Sequence, residues 1–249
     1  MRATPFAAFA LALALPAAAP AMDLTAMTDA ERQAFRDEVR AYLLDNPEVL
    51  MEAIGVLEQR QAEAQAQGDA ALVAAHAEAL FDDPTSWVGG NPDGDVTVVE
   101  FLDYRCGYCR RAHPEVAELL AQDGNIRLIV KEFPILGPQS EMASKFALAV
   151  REVGGDDAYK VVNDALMTLR ADVTPEALRG LAEDQGLDAD AIMAAMEGDD
   201  IARIIAQNRA LGQALQINGT PSFVFGDQLI RGYLPLDAMQ EVVAAVREG

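Results

Sequence analysis

Cysteine is scarce in this chain of 249 residues, which contains two, Cys106 and Cys109. Both lie in one Cys-x-x-Cys spacing, so no cysteine remains for a structural disulfide elsewhere and the fold must be stable on its core alone. Histidine is scarce too. A structural zinc site needs four ligands, and His76 and His113 do not recur at ligand spacing, so zinc is disfavoured.

Positive charge is also in short supply, and the formal net charge is −21 at pH 7. So acidic a surface disfavours nucleic acids and anionic membranes as partners. Hydrophobic residues make up 51% of the chain, which is enough for one well-buried domain and an appendage.

A long hydrophobic run is missing as well. The apolar stretch at 6–15 is shorter than the ~20 residues that a membrane-spanning helix needs. It follows Arg2 and precedes Ala19-Pro20-Ala21, which is the pattern of a signal peptide and its cleavage site. We therefore expect residues 1–21 to be a cleaved signal peptide and the protein to be exported to the periplasm, an oxidising space. The alternative is an uncleaved Ala-rich anchor.

Residues 22–83 have a helical pattern. Thr28 and Glu31 fit a capping box at the start of a first helix. A second helix has apolar residues on one face and then becomes rich in Ala, Gln and Glu; these apolar residues are Leu50, Ile54 and Leu57. A helix so thinly apolar either packs on the next domain or associates with copies of itself, and its heptad pattern is too weak to decide between them.

Turn-forming residues at 82–84 and 89–94 predict a domain boundary, so that a second domain occupies 84–249. An alternating, β-branched run at 96–102 predicts a strand, and a second strand follows at 126–130. With the intervening helix, these strands form a right-handed crossover and lie parallel. A helical block at about 139–215, a hairpin at 222–232 and a last helix at 236–246 complete the chain.

The Cys-x-x-Cys lies where the first strand passes into a helix. Cys106 therefore stands at a helix N-terminus, where unpaired N–H groups and the helix dipole stabilise a thiolate. A thiolate so placed attacks disulfides, and Cys109 resolves the mixed disulfide that forms. The pattern predicts a thiol–disulfide oxidoreductase.

Three motifs occur in order along the second domain: Val-Glu-Phe-Leu-Asp-Tyr-Arg-Cys-Gly-Tyr-Cys at 99–109, Val-Lys-Glu-Phe-Pro-Ile-Leu at 130–136 and Asn-Gly-Thr-Pro-Ser-Phe at 218–223. Together they resemble the thioredoxin-fold oxidoreductases of the DsbA type. The resemblance implies an α/β thioredoxin fold with a helical insertion, preceded here by an N-terminal helical region. Residues 31–61 more weakly resemble the N-terminal region of ScsC-type proteins, which can mediate oligomerisation in those relatives.

By position, the resemblance makes Cys106 the exposed nucleophile and Cys109 the buried resolving thiol. It also makes Thr220-Pro221 the loop whose cis proline faces the active site. Proline has no N–H, and a cis X-Pro bond makes a sharp turn that presents the Thr220 backbone to an extended substrate. No cofactor and no bound metal is implied. The dipeptide Gly107-Tyr108 replaces the histidine-containing pair of many DsbA-type oxidases, which leaves the redox poise open.

Glu100 and Lys131 lie inside apolar strands, where a charge is costly. By position they match a buried acid and a lysine near the resolving cysteine of the DsbA type. Our hypothesis is that they pair and that Glu100 moves a proton on or off Cys109. The alternative is that each points outward from its strand.

The leading functional hypothesis is disulfide exchange with protein substrates that carry thiols or disulfides. As an oxidase the protein is recharged by a membrane redox partner and is monomeric. As an isomerase or reductase it is kept reduced and forms a homo-oligomer through residues 23–83. The alternative from another class is a periplasmic protein that holds a soft metal such as copper(I) between its thiols for metal tolerance.

Overall fold

The computed structural model describes residues 26–248, so the expected signal peptide at 1–21 lies outside the described residues. The chain divides into two compact units, 1–59 and 60–249. No helix in the described range combines the length and the apolar content that crossing a bilayer requires.

The first unit contains α1 (Asp29–Asp45) and the beginning of α2 (Glu48–Ala75). The expected capping box is confirmed: the Thr28 hydroxyl accepts from the Glu31 N–H at 3.3 Å, and the Glu31 carboxylate accepts from the Thr28 N–H at 2.8 Å. Helix α1 buries none of its residues. Large apolar side chains of this unit are exposed; they are Phe35, Val39, Tyr42, Leu44, Leu50, Met51, Ile54, Val56 and Leu57.

The second unit contains the rest of α2 and a five-stranded sheet with helices on both faces. Its further elements are α3 (Ala77–Phe81), β1 (Trp87–Gly90), β2 (Val96–Leu102), α4 (Gly107–Asp123), β3 (Ile126–Glu132), α5 (Pro138–Thr168), α6 (Pro175–Asp184), α7 (Ala189–Ala195), α8 (Asp199–Ala214), β4 (Ser222–Phe225), β5 (Gln228–Arg231) and α9 (Leu236–Glu248). Helix α5 is interrupted at Gly155, whose φ is +83°.

The strands lie in the order β1-β3-β2-β4-β5. β2 and β3 are parallel, as expected, and β4 pairs antiparallel with both β2 and β5. Along the chain, the four helices α5–α8 follow β3 and precede β4, and they form the insertion. This arrangement confirms the predicted α/β class and the thioredoxin fold with a helical insertion.

Alternation along the strands sorts the core into two layers. Val98 and Leu102 of β2 join a layer formed with α4, α5 and α9. Val99 and Phe101 of the same strand join a second layer, formed with the end of α2, α3 and α8. Each face of β2 therefore has its own set of neighbours, and a shift of one residue moves a side chain from one layer to the other.

Strand β1 was not expected, because its Gly89-Gly90 pair predicts a turn. The four residues pair antiparallel with β3 at the edge of the sheet. Gly90 has a φ of +68°, and a Cβ there would stand 2.4 Å from the carbonyl oxygen of Ile126. Glycine is thus required by the close approach to β3, a cause that a local sequence pattern does not reveal.

The two compact units divide between Gln59 and Arg60, earlier than the boundary expected at 83/84. The reason is packing: Val73 and Leu80 are buried in the second layer of the sheet domain. Asp69 is also buried and accepts two hydrogen bonds from the Arg231 guanidinium, at 2.7 and 2.8 Å. The last part of α2 and all of α3 therefore belong to the sheet domain.

Lys131 lies in this second layer and is 1% exposed. Its ammonium donates to the Asp83 carboxylate at 2.6 Å and to the Ala79 carbonyl at 2.7 Å. Burial by itself raises the pKa of Asp83, but hydrogen bonds from Lys131 and Thr85 outweigh it and lower that pKa to about 2. The ion pair thus joins the segment after α3 to the sheet.

We expect Asp83→Ala to destabilise the protein by about 3 kcal/mol, because it leaves the buried ammonium of Lys131 without its counter-charge. Urea denaturation measures this loss. The double variant Asp83→Ala/Lys131→Met is the control and should recover most of it. Because the pKa of Asp83 is depressed, its contribution is complete above its ordinary pKa of 3.8 and is lost as the pH falls towards 2. Equal stability of Asp83→Ala and the wild type at neutral pH would contradict this account.

Candidate active site

Cys106 occupies the N-cap of α4, directly after the loop that ends β2. Its backbone N–H donates to the Asp103 carbonyl at 3.0 Å, which closes a tight turn before the helix. The backbone N–H groups of Tyr108 and Cys109, in the first helical turn, lie near enough to the sulfur to lower its pKa. The strand-to-helix junction predicted from the sequence is therefore present, and it places the sulfur at the positive end of the helix dipole.

The loop before β4 faces this sulfur. The Thr220–Pro221 peptide bond is cis, as the motif predicts. The Cys106 thiol donates to the Thr220 carbonyl oxygen at 3.0 Å, and the Thr220 hydroxyl is buried in the same loop. Residues more than one hundred positions apart in the chain thus meet at one sulfur atom.

The two thiols have opposite acidities. A hydrogen bond from the Cys109 thiol lowers the pKa of Cys106 to about 5, against the effect of burial; the Thr220 hydroxyl and the N–H groups of Cys109 and Tyr108 add to the shift. Burial raises the pKa of Cys109, which is 0% exposed. Cys106 was expected to be exposed, yet it is only 8% exposed, and the cis-proline loop contacts its sulfur through the Thr220 carbonyl oxygen.

Asp103 stabilises the loop before the cysteines, a role that was not predicted from the sequence. Its carboxylate accepts from the backbone N–H groups of Arg105, Ile135 and Leu136, at 2.8, 2.9 and 3.1 Å. Its own N–H lies 3.5 Å from the Cys109 sulfur. A carboxylate placed directly after a strand and before Cys-x-x-Cys was the available signal, since aspartate commonly accepts from nearby backbone N–H groups.

Glu100 is buried on the same face of β2 as Val98 and Leu102, in the layer that contains Cys109. Its Oε1 has no hydrogen-bond partner. Burial and then the charge of Glu132 raise the pKa of Glu100 to about 8. Glu100 in turn adds to the raised pKa of Cys109.

The predicted pairing of Glu100 with Lys131 is wrong. In the parallel register, Glu100 lies opposite Val130, and Lys131 lies opposite Phe101. Because neighbouring residues of a strand point to opposite faces, Lys131 points into the other core layer and pairs with Asp83. Neither side chain points outward to solvent, so the alternative expectation also fails.

Glu132, one residue further along β3, is the charged side chain that does share the face of Glu100. It is 1% exposed and accepts hydrogen bonds from three hydroxyl groups. Glu132 lies within the 130–136 motif, but its role was not predicted from the sequence. Residues two apart in a strand share a face, and Glu132 is two residues beyond Val130, the partner of Glu100. This spacing would have identified Glu132.

An exposed aromatic rim lies beside the cysteines. Tyr108, between them in sequence, is 61% exposed and stands with its ring centroid 6.0 Å from that of Tyr233. The Arg111 guanidinium lies 4.5 Å from the centre of the Tyr233 ring, and the Tyr233 hydroxyl donates to Glu115. These groups form a surface with apolar, cationic and hydrogen-bonding character.

Among residues 26–248, no three His, Cys, Asp or Glu side chains are grouped so as to hold a metal ion. The soft donors are sulfur atoms. Besides the two thiols, three thioethers line one cavity of about 670 Å³ formed by the β3–α5 loop and the helical insertion; they are Met142, Met193 and Met196.

A pair of thiols of opposite acidity, at the start of a helix and facing a cis-proline loop, defines a thioredoxin-fold protein with a Cys-x-x-Cys site. The model of the DSBA-like thioredoxin domain matches residues 97–244, so the chain belongs to that family. A second model, the N-terminal domain of the copper resistance protein ScsC, matches residues 31–64. The expected resemblances to the DsbA and ScsC types are confirmed.

Two solved structures are similar over most of their length. A thioredoxin-like oxidoreductase from Silicibacter pomeroyi is 42% identical, with a TM-score of 0.65, 69% of this chain covered and 98% of the other. ScsC from Proteus mirabilis in a transitional conformation is 27% identical, with a TM-score of 0.63, 90% of this chain covered and 98% of the other.

Curated relatives match about two thirds of the chain. Disulfide bond formation protein D of Bacillus subtilis is 24% identical over 172 residues, which are 64% of this chain and 76% of the relative. The chain also spans about a quarter of the length of several Na(+)/H(+) antiporters of the NhaA type.

We expect thiolate formation at Cys106 in the reduced protein to have its midpoint near pH 5, read from the ultraviolet absorbance of the thiolate. Cys109→Ala removes the strongest donor and should raise the pKa of Cys106 more than Thr220→Val, which removes a weaker one. Tyr108→Phe, which keeps the backbone donor and loses an exposed hydroxyl, is the control and should leave the midpoint unchanged. A midpoint in the alkaline range of a free cysteine in the wild-type protein would contradict the described geometry.

Proposed function

We propose that this protein is an exported thiol–disulfide oxidoreductase that exchanges disulfides with protein substrates through Cys106 and Cys109. The observation that carries the proposal is the acidic thiol of Cys106, held at the start of α4 against the Thr220–Pro221 loop. A thiol of that pKa is ionised at neutral pH and is also a good leaving group.

The reaction has two sulfur exchanges. In the oxidising direction, a substrate thiolate attacks the Cys106 sulfur of the Cys106–Cys109 disulfide. An S–S bond forms between substrate and Cys106, and Cys109 leaves with the electron pair of the old bond. A second substrate thiolate then attacks the substrate sulfur and releases Cys106 as its stable thiolate. The substrate is oxidised by two electrons and the cysteine pair is reduced by two.

Glu100 supplies the proton for the leaving sulfur in this proposal. The Cys109 thiolate is costly because that sulfur is fully buried. Glu100 shares its core layer and, with a pKa of about 8, is protonated at neutral pH. Its proton passes to the Cys109 sulfur as the disulfide opens, and the Glu100 carboxylate takes the proton back when the exchange runs in reverse.

The stabilised Cys106 thiolate favours an oxidising poise, because it stabilises the reduced form of the pair. Equilibration with glutathione measures that poise: a potential near ~−120 mV marks a DsbA-like oxidase, and ~−200 mV or below marks a reductase or isomerase. A membrane redox partner completes the cycle by restoring the disulfide or the dithiol. The Tyr108 and Tyr233 rim provides a contact surface for unfolded chains, which offer apolar side chains.

Export and self-association are further parts of the proposal. The signal pattern at 1–21 supports a periplasmic location. The exposed apolar residues of α1 and α2 support a homo-oligomer formed through this region, and so does the match of residues 31–64 to the ScsC N-terminal domain.

A soft-metal function is the second candidate. It is favoured by the family description of that N-terminal match and by two thiols and three thioethers as soft donors. A protein built solely to hold copper(I) would bind the metal at its thiols but would not turn over disulfides. The activity assay below therefore separates the two functions.

We expect the wild-type protein to reduce insulin disulfides and to refold a scrambled protein, and we expect Cys106→Ser to do neither. In Glu100→Gln, activity should fall several-fold at neutral pH, since the buried proton donor is lost. In the oxidising direction, where Glu100 donates its proton to Cys109, the wild-type pH profile should decline as the pH rises through about 8, where Glu100 loses that proton, and this limb should vanish in Glu100→Gln. An unchanged profile removes Glu100 from the mechanism.

We expect light scattering to show an oligomer for the wild-type chain and a monomer for Ile54→Asp/Leu57→Asp, which places two charges on the exposed apolar face of α2. Glu52→Gln alters a charge on the other side of the same helix and is the control. A monomeric wild-type chain would reject association through this region, whereas catalysis by a single chain would be unaffected.

A further inference from the structure

Glu132 lies at the end of β3 in a site built for an anion. The Tyr159 and Tyr104 hydroxyls donate to its Oε1 at 2.6 and 2.7 Å, and the Ser144 hydroxyl donates to its Oε2 at 2.7 Å. The Asn163 amide donates in turn to the Tyr104 oxygen at 3.0 Å, which holds that hydroxyl with its hydrogen towards Glu132. Both carboxylate oxygens are therefore provided with hydroxyl donors, although the side chain is 1% exposed.

The register of the sheet brings this anion site close to Glu100. Glu132 pairs with Leu102, and Glu100 pairs with Val130, so the two carboxyl groups lie one diagonal step apart on the same face of neighbouring parallel strands. Lys131 does not lie between them, because it points into the opposite core layer and pairs with Asp83. Two like charges so close in a dry interior repel strongly, so one of the two groups keeps its proton.

The surroundings of Glu100 and Glu132 decide which of the two carboxyl groups keeps its proton. Three donors stabilise the ionised form of Glu132, whereas Glu100 Oε1 has none. Burial raises the pKa of both groups, to about 7 for Glu132 and about 8 for Glu100, and the hydroxyl groups keep the value for Glu132 the lower of the two. Two carboxyl groups whose surroundings separate their acidities divide into an anion and an acid.

We propose that Glu132 is a positioning residue for disulfide exchange: it carries the single negative charge of the buried pair and thereby keeps Glu100 protonated beside Cys109. This deepens the proposed function, because it says why Glu100 is available as a proton donor at neutral pH. Glu132 touches no reacting atom and acts through Glu100.

Other groups that face Glu132 agree with this assignment. Asp103 adds a further negative charge, which raises the pKa of Glu132, but its own carboxylate is occupied by three backbone N–H groups. Tyr104 and Tyr159 stay neutral, because burial and the charge of Glu132 raise the pKa of each phenol well above its ordinary value. They remain hydroxyl donors across the working pH range.

Glu132 also connects the active-site loop to the helical insertion. Tyr104 immediately precedes Arg105 and Cys106, and its backbone carbonyl accepts from the Arg110 Nε of α4 at 2.8 Å. Tyr159 and Ser144 belong to α5. One carboxylate thus joins the loop before the cysteines to two turns of the insertion.

The test is a site-resolved carboxyl-carbon NMR titration of the disulfide form, in which no cysteine titrates. In the wild-type protein Glu132 should ionise at lower pH than Glu100. In Glu132→Gln, Glu100 should ionise at a pH lower by about one unit or more, the coupling expected for charges one diagonal step apart in a protein interior. The alkaline limb of the activity profile should move down by the same amount.

Ser144→Ala removes a single donor and is the milder variant, which decides the question if Glu132→Gln does not fold. It should raise the pH at which Glu132 ionises. Glu115→Gln is the matched control, because Glu115 also accepts from a tyrosine hydroxyl but lies on α4 at the rim. It should move neither titration.

The proposal is overturned if Glu100 ionises before Glu132 in the wild-type protein. It is equally overturned if Glu132→Gln leaves the titration of Glu100 in place, or if Ser144→Ala leaves that of Glu132 in place. Failure of the proposed function gives a different result: Cys106 would titrate as an ordinary thiol in the reduced protein, and the carboxyl titrations of the disulfide form would be unaffected.

Discussion

The concentration of hydrogen-bond donors on the sulfur of Cys106 is the interaction on which the proposed chemistry depends. The donors come from the second cysteine, from the first turn of α4 and from the hydroxyl that precedes the cis proline. A negative sulfur in a nearly covered position would be costly without them. The sheet brings these groups together, because β2 carries the cysteine loop at the same end at which β4 begins with the proline loop.

The two faces of the sheet differ in the charged side chains that they bury. The layer with α2, α3 and α8 contains a compensated pair, in which the ammonium of Lys131 meets the carboxylate of Asp83. The opposite layer contains two carboxyl groups, Glu100 and Glu132, which Lys131 does not reach. The first arrangement joins the segment after α3 to the sheet, and the second, in our proposal, keeps a proton on Glu100. Lys131 belongs to the first arrangement and Glu132 to the second, and these two residues occupy adjacent positions of β3.

The N-terminal unit obeys a different constraint. Helix α1 begins with a capping box and buries none of its residues, and large apolar side chains at the beginning of α2 are exposed. Helix α2 spans both units, and its beginning belongs to the N-terminal unit. Its end packs in the sheet domain, where Asp69 accepts hydrogen bonds from Arg231 and Val73 is buried in the core. The expectation that the helical region packs on its own chain therefore holds for its last part, whereas the apolar side chains of α1 and of the beginning of α2 are exposed.

The sequence alone determined several elements of this protein, because their signals depend on the local chemistry of the chain. Alternation and helical spacing identified β2, β3, the hairpin and the Cys-x-x-Cys helix, because these signals are carried by residues close together in the chain. The cis bond before Pro221 was implied by the resemblance of three motifs to the DsbA type. The tertiary structure alone decided the partners of the buried charges, the edge strand β1 and the role open to Glu132. Which face a strand residue occupies, and what it meets there, depends on the register between strands, and one residue of register exchanges Lys131 for Glu132 as the neighbour of Glu100.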